Sequence, residues 1–376
     1  MLFANPLGGA VKSPIKTCII KLMALRNHNH KSKNFRWLTH PVIPRAVLYL
    51  ALFVATATIA LWGLETYYEP NHPSKSAFYY QSLDLSQAIQ ATYTNKAVTQ
   101  VKDLGTTNGV KQELVSFNVP KDDLQEFGLM TLPSKAPAGG KYPVIVLCHG
   151  YNNPQNYSTL KAYLGDMEFY SQHGYAVIKP DYRGQGFSLT SGTADGAYYS
   201  MSYNTDVMSL IAAIKKTSYL DKKDINLWGH SMGGYIALRA SVLSSDIKTV
   251  VLLSAPVGNI QDSYSSYTPV SDNANSIAQD IRDEQLVTHG TPLSNPTFWD
   301  KTSPFDFLSH EKAYVQIHVG SADKIVPPEF SAQLSAALAR ANKPHAYYVY
   351  PGGSHGLGQQ RDLIWSRSLA ALNAKH

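Results

Sequence analysis

A serine stands between two glycines in the sequence GHSMG at residues 229–233, directly after the apolar run 225–228. A serine at the tip of a sharp turn between a strand and a helix exposes its hydroxyl as a nucleophile. Gly229 and Gly233 fit this arrangement because the strand and the helix pass too close to each other for a Cβ atom. The pattern therefore predicts a nucleophile elbow with Ser231 at its tip.

A serine hydroxyl becomes a good nucleophile only when a histidine takes its proton and a carboxylate orients that histidine. In folds with this elbow, the carboxylate follows the serine along the chain and the histidine comes last. Asp323 lies in the loop after a late predicted strand, and His355 lies in a glycine-rich loop after the last one. Asp262 and Asp306 are rival acids, but neither has the right placement. The sequence therefore predicts a triad of Ser231, Asp323 and His355.

The negative charge that develops on a substrate oxygen during acyl transfer needs N–H donors. One predicted donor is the backbone N–H of Met232, the residue after the nucleophile. The other is predicted in the sequence His149-Gly150-Tyr151, which ends the first buried strand, with Tyr151 as the donor. The alternative is that His149 and Gly150 only form a tight turn at the end of the strand and have no catalytic role.

A second dense motif, DYRGQGFS at residues 181–188, also follows a predicted strand. Its glycines indicate a close approach of the backbone near the site. We interpret Asp181 and Arg183 as structural support, with Arg183 paired internally rather than bound to substrate.

Strands and helices alternate through most of the chain, with helices predicted at 203–216, 234–240, 276–286 and 361–375. The continuous apolar run 143–148 is typical of a strand buried on both faces of a parallel sheet, and a hairpin over 113–119 and 125–131 precedes it. Further strands are predicted at 175–179, 225–228, 249–254, 314–319 and 347–350. This alternation predicts an α/β fold with a doubly wound, mostly parallel sheet. The stretch 258–308 interrupts it and is predicted to be a small cap above the carboxyl ends of the strands, where ligands bind.

The amino-terminal part of the chain differs sharply from the rest. Residues 1–64 hold eight Lys and Arg and no acid, so the net charge of +6 belongs to this part and indicates no nucleic-acid surface. Residues 46–64 carry no charge and are long enough to cross the ~30 Å hydrocarbon layer as a helix. The positive-inside rule puts the leader 1–45 in the cytoplasm and the remaining chain outside it. A cleaved signal peptide is the alternative.

The predicted organisation is therefore a basic leader (1–45), a single transmembrane helix (46–64), a stalk or packing segment (65–108) and a catalytic domain (109–376). The two cysteines, Cys18 and Cys148, lie on opposite sides of the membrane in this topology and form no disulfide. No Cys and His spacing typical of a metal site occurs, so neither a metal nor a cofactor is predicted.

The motifs HGY, DYRGQGFS, GHSMGG, GSADKIVPP and GGSHG together resemble the α/β-hydrolase superfamily. They look most like the catalytic domain of the prolyl oligopeptidase family and its esterase relatives, over about residues 110–375. The resemblance implies that Ser231, His355 and Asp323 form an acyl-enzyme and hydrolyse it with water. Between the predicted anchor and the first strand there is no room for the β-propeller of the oligopeptidases. No acidic pair resembles the clamp for the substrate's amino terminus in the dipeptidyl peptidases.

The predicted function is a membrane-anchored serine hydrolase that acts on small carboxylic esters. A serine peptidase acting on short peptides is the alternative, because ester and amide hydrolysis use the same residues. A lyase or acyltransferase on the same triad differs only in what intercepts the acyl-enzyme. A non-catalytic scaffold on this fold would lack triad members, and here every member has a candidate.

Overall fold

A single sheet of nine strands forms the centre of the computed structural model, which describes residues 84–374 apart from 136, 138, 190–199 and 267–276. The strands are β1 (Thr99–Thr107), β2 (Val110–Val119), β3 (Leu124–Pro133), β4 (Tyr142–Cys148), β5 (Ala176–Pro180), β6 (Leu220–His230), β7 (Ile247–Leu253), β8 (Tyr314–Gly320) and β9 (His345–Tyr350). Their order in the sheet is β1-β2-β3-β5-β4-β6-β7-β8-β9. β1, β2 and β3 are antiparallel to their neighbours, and β4 to β9 all run parallel.

Helices cover both faces of this sheet. They are α1 (Leu85–Gln90), α2 (Leu164–Gln172), α3 (Ser202–Ile214), α4 (Met232–Leu243), α5 (Ile260–Ser266), α6 (Ile277–His289), α7 (Pro296–Trp299), α8 (Pro328–Arg340) and α9 (Arg361–Asn373). Successive side chains of a strand point to opposite faces. In β4, Val144 and Val146 pack in one apolar cluster with residues of α3, α4 and α8, and Ile145 and Leu147 pack in another with residues of α2 and α9. The predicted α/β-hydrolase fold with a mostly parallel sheet is thus confirmed.

The sheet begins earlier than predicted. β1 lies within the predicted stalk, so the boundary set at residue 109 falls between β1 and β2 and is too late. The residues before β1 also belong to the domain, since Leu85 is fully buried and the N–H of Val98 donates to Thr217 Oγ1 at 3.0 Å. β1 escaped prediction because nearly all its side chains are exposed and its register is interrupted twice, so no alternation of apolar residues marks it.

The predicted leader and transmembrane helix, residues 1–64, lie outside the described residues. In the part of the chain that the structure describes, no helix is both long enough and apolar enough to span a membrane. Cys18 also lies outside this part, and Cys148 is a buried free thiol whose pKa burial raises to about 12. No group of His, Cys, Asp and Glu suited to a metal ion occurs among the described residues.

The predicted cap is the segment between β7 and β8, which contains α5, α6 and α7. The side chain of Gln333, in α8, attaches its first helix. Its amide oxygen accepts a hydrogen bond from the N–H of Asn259 at 3.0 Å, and its amide nitrogen donates to Asp262 Oδ2 at 2.7 Å. Asp262, one of the rival acids, therefore ties the cap to the domain.

Candidate active site

The elbow lies where β6 ends and α4 begins. Ser231 has φ 53° and ψ −127°, a backbone conformation that non-glycine residues rarely adopt. A Cβ on Gly229 would lie 2.3 Å from the carbonyl oxygen of Gly233, and a Cβ on Gly233 would lie 1.9 Å from that of Cys148. The two glycines are therefore required by backbone contacts inside the elbow and between the elbow and β4.

We expect Gly233→Ala to prevent the elbow from forming. The added Cβ meets backbone rather than a movable side chain, so the expected loss of folding stability is about 4 kcal/mol or more. Gly165→Ala in α2 is the matched control, because nothing lies within 4 Å of its added Cβ, and we expect a gain of up to about 1 kcal/mol. Thermal unfolding measures the change in stability of each variant. Equal melting temperatures for the two variants would contradict this account.

The three predicted triad side chains lie in one hydrogen-bonded row. His355 Nε2 lies 2.9 Å from Ser231 Oγ, and His355 Nδ1 lies 2.8 Å from Asp323 Oδ2. Ser231 and Asp323 are buried, while the His355 side chain keeps 15% of its surface exposed. The imidazole can therefore pass a proton between the serine and an incoming molecule.

Asp323 is held as a carboxylate by the loop that follows β8. Its Oδ1 accepts hydrogen bonds from the N–H groups of Ile325 at 2.9 Å and Val326 at 3.0 Å. Burial acts to raise the pKa of Asp323, but the hydrogen bonds from His355 and from these two N–H groups outweigh it and hold the pKa below its ordinary value. The group is therefore ionised at neutral pH and oriented from both sides.

The loops that carry Asp323 and His355 are packed backbone to backbone. A Cβ on Gly320, the last residue of β8, would lie 2.1 Å from the carbonyl oxygen of Gly353. That same oxygen accepts a hydrogen bond from the N–H of Ala322 at 2.9 Å. Gly320 and Gly353 are thus the sequence signal for this approach, although neither was among the predicted site residues.

The predicted oxyanion donors lie at the ends of adjacent strands, since β4 pairs with β6. The N–H of Met232, the first residue of α4, has no acceptor within its own helix. The N–H of Gly150 donates to Tyr163 Oη at 3.0 Å, so it is already engaged. The next residue, Tyr151, is exposed.

His149 is fully buried and its ring lies against Tyr157 and Tyr182 at centroid distances of 4.6 and 4.3 Å. Burial lowers the pKa of His149 to about 3, so it supports the loop as a neutral ring.

The DYRGQGFS motif forms a buried polar network. Arg183 Nε donates to Asp206 Oδ1 at 3.1 Å, and its Nη2 donates to Asp122 Oδ2 at 2.7 Å. Asp181 accepts from the hydroxyls of Thr159 at 2.7 Å and Tyr157 at 2.9 Å. Arg183 is therefore paired internally, and Asp181 holds the chain between β4 and α2.

Glu126 in β3 gives this network a pH dependence. It is fully buried and has no ion-pair partner among the described residues. Burial, and then the charge of Asp206, raises its pKa well above the ordinary value. A raised pKa in the folded state means that stability falls as pH rises from about 4.5 through that pKa. We therefore expect the stability of Glu126→Gln to decrease less with rising pH than that of the wild type. The variant should melt about 2–4 °C higher than the wild type at pH 8, but not at pH 4. Equal differences at both pH values would contradict this.

Comparison with known proteins connects this geometry to a family. Residues 162–373 match the sequence profile of the prolyl oligopeptidase family. The chain is 24% identical over 256 residues to the acylamino-acid-releasing enzyme of Rattus norvegicus, a match that covers 64% of this chain and 32% of that enzyme. It therefore spans about a third of the length of this curated relative.

Two solved structures share the fold. The acetyl xylan esterase 1 of Thermoanaerobacterium sp. JW/SL YS485 has a TM-score of 0.55 and 18% identity, over 78% of this chain and 94% of the esterase. A puromycin-hydrolyzing peptidase of Mycobacterium tuberculosis has a TM-score of 0.50 and 20% identity, over 73% of this chain and 39% of the peptidase.

Proposed function

Because the chain belongs to the prolyl oligopeptidase family of serine hydrolases, we propose that it hydrolyses carboxylic esters through an acyl-enzyme on Ser231. The observation that carries this proposal is the position of His355, whose two ring nitrogens lie 2.9 Å from Ser231 Oγ and 2.8 Å from Asp323 Oδ2. This is the arrangement that general-base activation of a serine requires.

The proposed reaction has two halves. Ser231 Oγ attacks the ester carbonyl while His355 Nε2 takes the hydroxyl proton, and the carboxylate of Asp323 stabilises the imidazolium. The oxyanion is met by the N–H groups of Met232 and Tyr151. The C–O bond to the alcohol then breaks, and His355 gives its proton to the leaving alcohol. In the second half, His355 takes a proton from water, the resulting hydroxide attacks the acyl group, and Ser231 is released with its proton restored.

Two observations favour ester over peptide substrates. The fold shared with the acetyl xylan esterase takes in 94% of that enzyme's chain, so a chain of this fold alone suffices for an esterase. Tyr151, Phe187 and Ile325 follow β4, β5 and β8 and expose 43%, 51% and 43% of their surfaces. Because these parallel strands end at the same edge of the sheet as β6, which precedes Ser231, we expect these apolar side chains to lie near the site. Such surroundings suit an uncharged organic ester.

A serine peptidase is the second candidate. Its support is the sequence similarity to an acylamino-acid-releasing enzyme and the fold shared with a puromycin-hydrolyzing peptidase. Attack, proton transfer and acyl transfer need no residue beyond those of the ester reaction, so only substrates can separate the two functions.

The deciding experiment presents one acyl group with different leaving groups. The full chain is assayed with the methyl ester and the p-nitroanilide of N-acetylalanine, and with p-nitrophenyl esters of increasing acyl length, using Ser231→Ala as the blank. We expect turnover of the methyl ester and none of the anilide. If the anilide were turned over with a kcat/KM comparable to that of the methyl ester, the protein would be a peptidase rather than an esterase. Activity that persists in the blank would reject both.

We also propose that residues 46–64 anchor the chain in a membrane with the catalytic domain outside the cytoplasm. The support is compositional, namely an uncharged run of membrane-spanning length that follows eight basic and no acidic residues. Alkaline extraction of membranes tests it, because an anchored chain stays in the pellet. A soluble chain whose measured mass shows that its amino-terminal residues have been removed by cleavage within 46–64 would instead indicate a signal peptide.

A further inference from the structure

His230, the residue before the nucleophile, bridges two other parts of the site. Its Nε2 lies 3.1 Å from the backbone carbonyl oxygen of His355, and its Nδ1 lies 2.8 Å from Tyr163 Oη. The same hydroxyl oxygen accepts the hydrogen bond from the N–H of Gly150. A chain of three hydrogen bonds therefore runs from the loop after β4, past the elbow, to the loop after β9.

Each hydrogen in these three hydrogen bonds can be assigned to its donor atom. A carbonyl oxygen only accepts, so the hydrogen of the His230 ring lies on Nε2. Burial, and then the nearby His355, lowers the pKa of His230 to about 3, so the ring is neutral and Nδ1 is an acceptor. Tyr163 must therefore donate to Nδ1, and burial raises its pKa to about 12, so its proton stays in place. The direction is Gly150 N–H to Tyr163, Tyr163 O–H to His230, and His230 N–H to His355.

The backbone of Tyr163 supports a positional role independently of these bonds. Tyr163 precedes α2 with φ 59°, in the left-handed region, which a bulky residue adopts only where its surroundings impose it. Its ring packs edge to face against Trp228 with centroids 6.0 Å apart. The hydroxyl is thus directed at the elbow by a strained backbone and a fixed ring.

The His355 loop needs such support. Backbone hydrogen bonds hold its neighbours Gly353 and Ser354. The three glycines from 352 to 356 still add backbone freedom around His355, and the imidazole must stay within hydrogen-bonding distance of Ser231. Two of the observed bonds hold the ring of His355. Among the described residues, only the bond from His230 holds its backbone carbonyl group. At the other end, the bond from Gly150 holds the loop that leads to Tyr151.

We propose that Tyr163 and His230 are positioning residues that fix the backbone of His355 and of the Gly150 loop relative to Ser231. This inference rests on the proposed serine hydrolase function. Among the described residues, neither side chain makes a hydrogen bond to Ser231 Oγ or to a ring nitrogen of His355. Loss of these three hydrogen bonds lets the imidazole and the oxyanion donors move out of position. A misplacement of about 1 Å costs up to about 100-fold in rate.

Tyrosine variants test the first half of the chain. Tyr163→Phe removes one hydroxyl and leaves the ring. Tyr175→Phe is the matched control, because Tyr175 is buried in the apolar cluster that Tyr163 packs against and donates to Asn373 Oδ1 at 3.0 Å, but it precedes β5 at the opposite edge of the sheet. The rates are expressed per active site titrated with a fluorophosphonate, so unfolded protein does not count. We expect kcat of Tyr163→Phe to fall about 10- to 100-fold with KM changed little, and Tyr175→Phe to match the wild type.

Histidine variants test the second half. A glutamine at 230 can donate to the His355 carbonyl and accept from Tyr163, whereas a leucine of similar size can do neither. We expect His230→Gln to keep most of the wild-type kcat and His230→Leu to lose it. Equal rates for Gln and Leu, or for Tyr163→Phe and Tyr175→Phe, would overturn the inference while the wild type remains active. If His230→Leu gives no titratable protein, the tyrosine pair decides. A wild type that is neither labelled nor active would instead reject the proposed function.

Discussion

Replacing Ser231 by alanine is expected to lower kcat/KM for esters by about 10⁶-fold, as happens when a triad loses its nucleophile. The residual rate comes from water in a site that still holds His355 and the oxyanion donors. Folding is expected to change little, because the substitution removes one oxygen and alanine accepts the φ of 53° no better and no worse than serine. The melting temperature should therefore stay within about 2–4 °C of the wild type, the shift that about 1 kcal/mol produces in a domain of this size.

Ser254 offers a matched control for this substitution. It follows β7, the strand next to β6, and it is also buried with a positive φ of 47°. Its hydroxyl makes no hydrogen bond within the described part of the chain. Because Ser254→Ala removes no hydrogen bond among the described residues, we expect kcat/KM to stay within about threefold of the wild type, a change in the barrier of less than about 1 kcal/mol. Turnover by Ser231→Ala above about 1% of the wild type would contradict the assigned nucleophile, since loss of the nucleophile of a triad costs about 10⁶-fold in kcat.

The triad candidates could be predicted because each carries a local signal. Ser231 lies in a glycine-flanked pentapeptide, and Asp323 and His355 each directly follow an apolar strand. Parallel strands end at the same edge of a sheet, so residues that follow them come together without any knowledge of their contacts. The structure brings these three side chains within hydrogen-bonding distance.

Of three elements that escaped prediction, two lack a local sequence signal and one carries such a signal. β1 is nearly all exposed and irregular in register, so no apolar pattern existed to detect. α2 begins after a tyrosine with a left-handed backbone and has no side-chain cap, so no start signal marks it. α8 carries Phe330, Leu334 and Leu338 at helical spacing, so its sequence does contain a helical signal.

The link between Tyr163 and His230 could not be predicted for a third reason. The two residues are 67 positions apart, and neither residue type is unusual where it stands. Their contact depends on how the residue before α2 lies against the end of β6, which is a tertiary property. Tyrosine and histidine in an aromatic-rich chain are ordinary core residues on composition alone. Only the hydrogen-bond geometry distinguishes them from the other buried aromatic residues.

Asp323→Asn is expected to lower kcat by about 10⁴-fold while leaving KM nearly unchanged. The reason lies in the two N–H groups of Ile325 and Val326, which both donate to Oδ1. In the variant these donors retain the amide oxygen, so the amide nitrogen is turned toward His355. That nitrogen donates, and His355 Nδ1 must then accept. The ring hydrogen therefore moves to Nε2, the atom that has to take the proton of Ser231, and the base is blocked.

Asp306→Asn is the matched control for this substitution, because Asp306 is the remaining rival acid and lies exposed before β8. Its kcat should stay within about threefold of the wild type. Fluorophosphonate labelling of Ser231 separates orientation from binding, since it needs the same proton transfer without an ester substrate. Labelling of Asp323→Asn should slow in proportion to kcat. If labelling kept its wild-type rate while kcat fell, the blocked tautomer would be the wrong explanation, and Asp323 would act only later, when the imidazolium must be stabilised before the alcohol leaves.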